Sequence, residues 1–130
     1  MILNSSPLIY LAKVDKLELL LKIEGELQAP AEVMRECVTR GLEKGYLDAY
    51  KLKEFFEEHV KIHNLDEDER REAERISATF GIDIGEAEVI VLARKKEDSM
   101  VLMDDARARK VARMFGLEPR GTLYVLLRAL

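Results

Sequence analysis

The 130-residue chain has one cysteine, no tryptophan, three prolines and two histidines. The lone Cys37 excludes an internal disulfide framework and any multi-cysteine zinc site. Aromatics are 6% of the residues, so the core must be aliphatic. No apolar run approaches the ~20 residues of a membrane-spanning helix, and no membrane partner is expected. The opening MILNSSPLIY has no basic segment ahead of a long apolar stretch, so no signal peptide is expected and the cytoplasm is the default compartment. The phosphate-cradling and nucleophile motifs GxGxxG, GxxxxGKS/T and GxSxG are all missing. Positive charge is also in short supply: 21 Lys and Arg against 25 Asp and Glu leave a net charge of −4. A protein that coats nucleic acid by charge alone would be basic overall. An enzyme that handles nucleic acid through metal ions is not excluded.

What is present is enough for a packed core. Hydrophobic residues make up 48% and charged residues 35%, in a length that suits a single domain over residues 1–130. Charge is unevenly spread. Residues 54–74 hold nine acids and three bases, which suits a solvated helix face. Residues 94–120 hold eight bases and five acids.

Periodicity and punctuation predict short strands alternating with helices. Strands are expected at residues 1–4, 27–29, 59–63, 99–103 and 117–119. Helices are expected at residues 7–14, 17–23, 30–40, 47–58, 66–80, 86–96, 105–115 and 122–130. Pro30 suits a first helical turn, and Gly41, Gly81 and Gly116 are expected to stop helices. The pattern implies an α/β fold with a parallel sheet covered on both faces. His59 and His63 alternate with Val60 and Ile62 and read as surface residues. Cys37 shares a face with Val33, Met34 and Val38 and reads as a small buried group.

The oxygen-bearing side chains carry the chemistry. Ligands of parallel α/β sheets gather beyond the carboxyl ends of the strands. Asn4 stands there after Ile2–Leu3, and Asp104 and Asp105 stand there after 100–103. Each also precedes a helix, and taken singly each is better read as a helix cap. Glu36 lies ~60° round its helix from Val33, at the edge of the apolar stripe. Glu86 opens a helix whose body, 89–93, is almost wholly apolar, and a first-turn glutamate also complements the helix dipole. Glu88 is two positions further on and is expected to point elsewhere. Hard divalent cations such as Mg²⁺ need oxygen ligands, and a cation is what would let several carboxylates share one place.

The segments NSSPLIYLAK, RECV, GEAEVIVLA and VLMDDARARKVARMFGLEPRGTLYVLL occur in an order that resembles the PIN domain over nearly the whole chain. The likeness is to its prokaryotic branch of small proteins related to VapC-type toxin ribonucleases. This resemblance implies a three-layer α/β/α sandwich around a central, mainly parallel sheet. It implies a Mg²⁺- or Mn²⁺-dependent ribonuclease acting on RNA, with an antitoxin protein as a possible partner. Position by position, it places the metal ligands on Asn4, Glu36, Glu86 and Asp105, with Asp104 replacing or assisting Asp105. Glu36, Glu86, Asp104 and Asp105 become the catalytic acids. Ser6 would orient the first ligand, Thr122 would cap or support the site, and Arg107 and Arg109 would steer RNA phosphate. Asn4 departs from the family's aspartate and carries no charge, which leaves room for a module that binds RNA or protein with little nuclease activity. Apolar Tyr124, Val125, Leu126 and Leu127 near the chain's end are expected to lack cover, which favours a homodimer.

Overall fold

A computed structural model describes residues 1–23 and 25–129. Five short strands, β1 (Ile2–Leu3), β2 (Leu27–Pro30), β3 (Val60–His63), β4 (Met100–Leu102) and β5 (Glu118–Arg120), form one sheet in the order β3-β2-β1-β4-β5. Every adjacent pair is parallel. Parallel neighbours cannot be joined by tight hairpins, so helices carry the crossovers. The crossovers use α1 (Ser5–Lys13), α2 (Ala31–Met34), α3 (Arg40–Glu43), α4 (Asp48–His59), α5 (Glu67–Phe80), α6 (Ile84–Lys96) and α7 (Ala106–Met114), and α8 (Thr122–Arg128) follows β5. Helix α1 touches α4 and α8, while α6 touches α5 and α7 and lies across β1, β2 and β4. The α/β/α sandwich expected from the sequence is present, and its sheet is wholly parallel.

The core is aliphatic, as the low aromatic content requires. Ile2, Leu3, Leu8, Leu11, Leu20, Leu52, Ile90, Leu92 and Leu102 are fully enclosed. Residues 85–93 of α6 are buried without interruption. A helix apolar all round belongs in the interior, against the sheet. Met103 is also enclosed, directly beyond β4.

Several boundaries differ from the sequence reading for identifiable reasons. Residues Leu17–Lys22 form a 3₁₀ helix in which Leu17 and Leu20 are buried. That three-residue spacing is the one a 3₁₀ turn aligns. Pro30 closes β2 and precedes α2 instead of sitting in its first turn. Gly41 does not stop a helix. The chain runs from α2 through a π-turn (Arg35–Thr39) into α3, and Gly41 lies inside α3. Gly41 is there for packing, because a Cβ would stand 2.8 Å from the Ala49 Cβ of α4. The turn that ends this run uses Gly45, at φ 74°. Helix α6 begins two residues earlier than expected because Asp83 caps it. His59 ends α4, and β3 starts at Val60.

The expected bare apolar patch at the chain's end is only partly so. Val125 is fully buried, and Tyr124 and Leu126 pack partly against the core. Leu127 stays exposed, as do Leu123, Tyr10 and Leu21. Residue 130 of the expected last helix lies outside the described residues. No helix among the described residues is long and apolar enough to cross a membrane.

Candidate functional site

Strand order reverses between β1 and β4: the chain moves from β1 outward to β2 and β3, then returns to β4 on β1's other side. The carboxyl ends of those two strands mark the switch point where parallel sheets open a crevice. Asn4 sits there. Its backbone N–H donates to the Leu102 carbonyl at 3.0 Å, which pins it between β1 and β4. Its backbone is extended, as a helix N-cap requires, yet its side chain makes no capping bond. Asn4 is 3% exposed, and its Oδ1 has no hydrogen-bond partner. A buried, unpaired amide oxygen costs on the order of 1–3 kcal/mol. Capping therefore does not explain Asn4, although the sequence taken alone favours it.

Glu36 comes from the π-turn after β2. The Ser5 hydroxyl donates to its Oε2 at 2.9 Å. Gly85, at the start of α6, lets this carboxylate pack against the α6 backbone, because a Cβ there would collide with Glu36 Oε1. Burial raises the Glu36 pKa. The Ser5 hydrogen bond opposes this, and the Asp83 and Glu32 charges add to it.

Asp83 and Glu86 form a reciprocal capping box at the start of α6. Glu86 N–H donates to Asp83 Oδ1 at 2.8 Å, and Asp83 N–H donates to Glu86 Oε1 at 3.1 Å. Glu86 is 6% exposed. Burial, then the charges of Asp83 and Asp105, push its pKa up to about 7, against the pull of the Asp83 backbone hydrogen bond. Asp105 caps α7, accepting from Ala108 N–H at 2.8 Å.

Asp104 belongs to a different neighbourhood. Both of its oxygens are taken by Thr122, through the backbone N–H at 2.7 Å and the hydroxyl at 2.5 Å. It thereby caps α8, and it lines a shallow groove with Ser6, Tyr10, Thr122 and Leu126. Arg109 approaches this same place, since a Cβ on Gly121 would lie 2.8 Å from Asp104 Oδ1 and 3.0 Å from Arg109 Nη1. Arg107 leans the other way, over Gly81. The two arginines are ~200° apart round α7 and do not form one phosphate clamp.

The candidate residues thus divide. Asp105 neighbours Glu86, the Asp83 charge acts on both Glu86 and Glu36, and Asn4 precedes the Ser5 that holds Glu36, while Ser6, Asp104, Thr122 and Arg109 stand beside α8. Sequence reasoning missed two members of the rim. Asp83 was legible from the pattern Asp-x-x-Glu ahead of an apolar run. Ser5, not Ser6, holds an acid, and only the helix phase of α1 separates them: Ser5 is buried and Ser6 exposed. Glu88 is buried beside Glu32 and Arg35, away from Asp105. Cys37 is buried and held as the neutral thiol by that burial.

Convergence is incomplete. Among the described residues no three His, Cys, Asp or Glu side chains meet closely enough to hold an ion. The capping bonds explain this, because they draw Glu86 and Asp105 onto backbone amides. The donor set nonetheless suits a hard cation: it is all oxygen, and the buried Asn4 Oδ1 lacks a partner.

The raised Glu86 pKa has a testable sign. Between pH 4.5 and about 7 the folded chain keeps a proton that the unfolded chain has lost. That contribution is complete below the unfolded value and disappears as pH rises through 7. Glu86→Gln keeps the capping box and removes the titration. Denaturant melts should show the wild type losing on the order of 2 kcal/mol more than the variant between pH 5 and pH 8. Parallel pH profiles would contradict the burial of this carboxyl.

Comparison with known proteins agrees with the architecture. None of the curated proteins matches the chain. A family model, DUF3368, described as a PIN domain, matches residues 1–130. With five parallel strands between helical layers and acids at the β1/β4 rim, the chain belongs to the PIN-domain family.

Proposed function

We propose that the chain is a Mg²⁺- or Mn²⁺-dependent endoribonuclease that hydrolyses RNA phosphodiesters at the β1/β4 rim. One observation carries the reading: Asn4 Oδ1 is buried and unpaired at the β1/β4 switch point, where the next residue, Ser5, holds Glu36, and where Asp105 follows β4 beside Glu86. PIN domains are generally nucleases, and an all-oxygen donor set is the kind that a metal-dependent one would use.

Asn4, Glu36, Glu86 and Asp105 would hold the ion. A bound divalent cation supplies positive charge for the phosphate and acidifies a water. The remaining work falls to the chain. Ser5 fixes Oε2 of Glu36, and Oε1 lies against Gly85 at the start of α6. The capping bonds engage Glu86 through Oε1 and Asp105 through Oδ1, so the second oxygen of each would be the one offered to an ion. Glu86, with its pKa about 7, can hold or release a proton near neutrality. Asp83 adds negative charge beside both glutamates.

The role of toxin in a VapC-like pair, opposed by an antitoxin protein, is the extension the sequence likeness supports. Exposed Tyr10, Leu21, Leu123 and Leu127 support pairing with a second copy. A second reading, a PIN module that binds RNA or protein without appreciable cleavage, is favoured by the neutral Asn4 and the incomplete convergence of the acids.

The deciding experiment incubates the purified chain with fluorescently labelled single-stranded RNA in Mn²⁺ and in EDTA. Cleavage in Mn²⁺ alone is expected. A rise in thermal midpoint with millimolar Mn²⁺ is expected alongside it, because an ion that binds only the folded state stabilises by ~2.7 kcal/mol at 100 times its Kd. A midpoint insensitive to Mn²⁺, with intact RNA, would leave the binding module as the better account.

A further inference from the structure

Glu36 also forms one wall of a cavity that the rim chemistry does not use. This cavity, of 260 Å³, lies between α1, the π-turn, α3 and α4. Lys13, Arg40 and Lys44 line it, with Tyr46, Asp48 and Ile9 completing the mouth. Arg40 is engaged by Glu32 at 2.9 Å. Among the described residues neither Lys13 nor Lys44 has an ion-pair partner within 4.0 Å. Tyr46 stands on the loop before α4 with 57% of its surface exposed. It is not loose, because its N–H donates to the Gly41 carbonyl at 2.9 Å. The next exposed aromatic, Tyr50, is one helical turn further along α4 and 64% exposed.

Here two lysines without an ion-pair partner among the described residues, an arginine and an exposed aromatic ring on a backbone-anchored loop surround one opening that adjoins Glu36. Single-stranded nucleic acid is held by that combination, with cations along the phosphates and aromatic faces under the bases. We propose that this cavity is a nucleotide subsite for single-stranded RNA. Lys13 and Lys44 take the phosphate of the nucleotide next to the one cleaved, and Tyr46 stacks on its base. The proposal rests on the ribonuclease reading for the direction of the strand toward Glu36, but binding itself does not require cleavage.

The test measures fluorescence anisotropy of a labelled eight-nucleotide single-stranded RNA with the full chain, in EDTA at low salt. Tyr46→Ala should weaken binding about tenfold and Tyr46→Phe should preserve it. Lys13→Gln with Lys44→Gln should weaken binding and also flatten the slope of log affinity against log salt by about 0.7 for each phosphate that is no longer neutralised. Lys96→Gln serves as the control, since it stands about 15 Å from Glu86 along α6; it removes one positive charge where the double variant removes two, so the losses are compared per charge. No binding by the wild type, an unchanged affinity in the double lysine variant, or an equal loss in the Lys96 control would each overturn the subsite. Lysine-dependent binding in a chain that fails to cleave RNA in Mn²⁺ would support the subsite and count only against the nuclease reading.

Discussion

Asp105→Asn is expected to cut Mn²⁺-dependent RNA cleavage on the order of 100-fold or more, while the thermal midpoint moves by no more than a few degrees. The separation follows from the two roles of this side chain. As an N-cap, Asp105 accepts from Ala108 N–H, and asparagine does that about as well. As a charge beside Glu86, asparagine cannot replace it. Losing even a group that supports a metal ligand usually costs 10–100-fold, and losing a charged ligand should cost at least as much. Asp104→Asn should behave in the opposite way. It weakens two charge-assisted bonds to Thr122 and should cost about 1 kcal/mol of stability with a small effect on cleavage. Measured side by side by melting and RNA cleavage, the pair decides which aspartate is the fourth acid. Equal cleavage losses would contradict the assignment to Asp105.

Asn4→Asp should act with opposite sign in the presence and absence of metal. Without a cation, the new carboxylate is buried where Asn4 is 3% exposed and adds negative charge to a rim already holding Glu36 and Glu86. An unpaired charge there should cost at least about 2 kcal/mol at pH 8. Burial raises the folded pKa of such a group, so the loss should shrink as pH falls toward 4 and the acid protonates into a near-isostere of the amide. With Mn²⁺ the cost is offset, and the thermal shift should exceed that of the wild type. Cleavage should rise if ion occupancy limits it. Thermal melts at pH 4.5 and pH 8, each with Mn²⁺ and with EDTA, give all four conditions. A variant as stable as wild type in EDTA at pH 8 would show that position 4 is wetter than its burial implies. A variant with no added response to Mn²⁺ would place the ion elsewhere.

The sheet and its helices were legible because the signals are local. Gly81 closes α5 at φ 68°, as the punctuation implied, and Asp66, read as the first helical residue, is its cap. The all-apolar stretch 89–93 marked the central helix. What failed was long-range or a matter of phase. Gly41 carries the same letter as a helix stop, but its cause is Ala49, eight residues on in another helix. The π-turn has no signature in the residues Arg35–Thr39, so the angular position assigned to Glu36 from an ideal helix did not apply. Asp104 and Asp105 are adjacent in sequence, and only the position of α8 separates their duties. The rim acids could be named from the chain, whereas the hydrogen bonds that engage them depend on neighbours that sequence does not give.

The sheet's two outer strands have a further consequence. On one side β5 is three residues long, Glu118–Pro119–Arg120, with a proline that offers no N–H. On the other, β3 presents Lys61 to solvent and has only four residues. Short, charged and proline-bearing margins resist the addition of a foreign strand. Runaway cross-β stacking is thereby discouraged from both flanks, and any ordered self-association of this chain must be made through its helical faces.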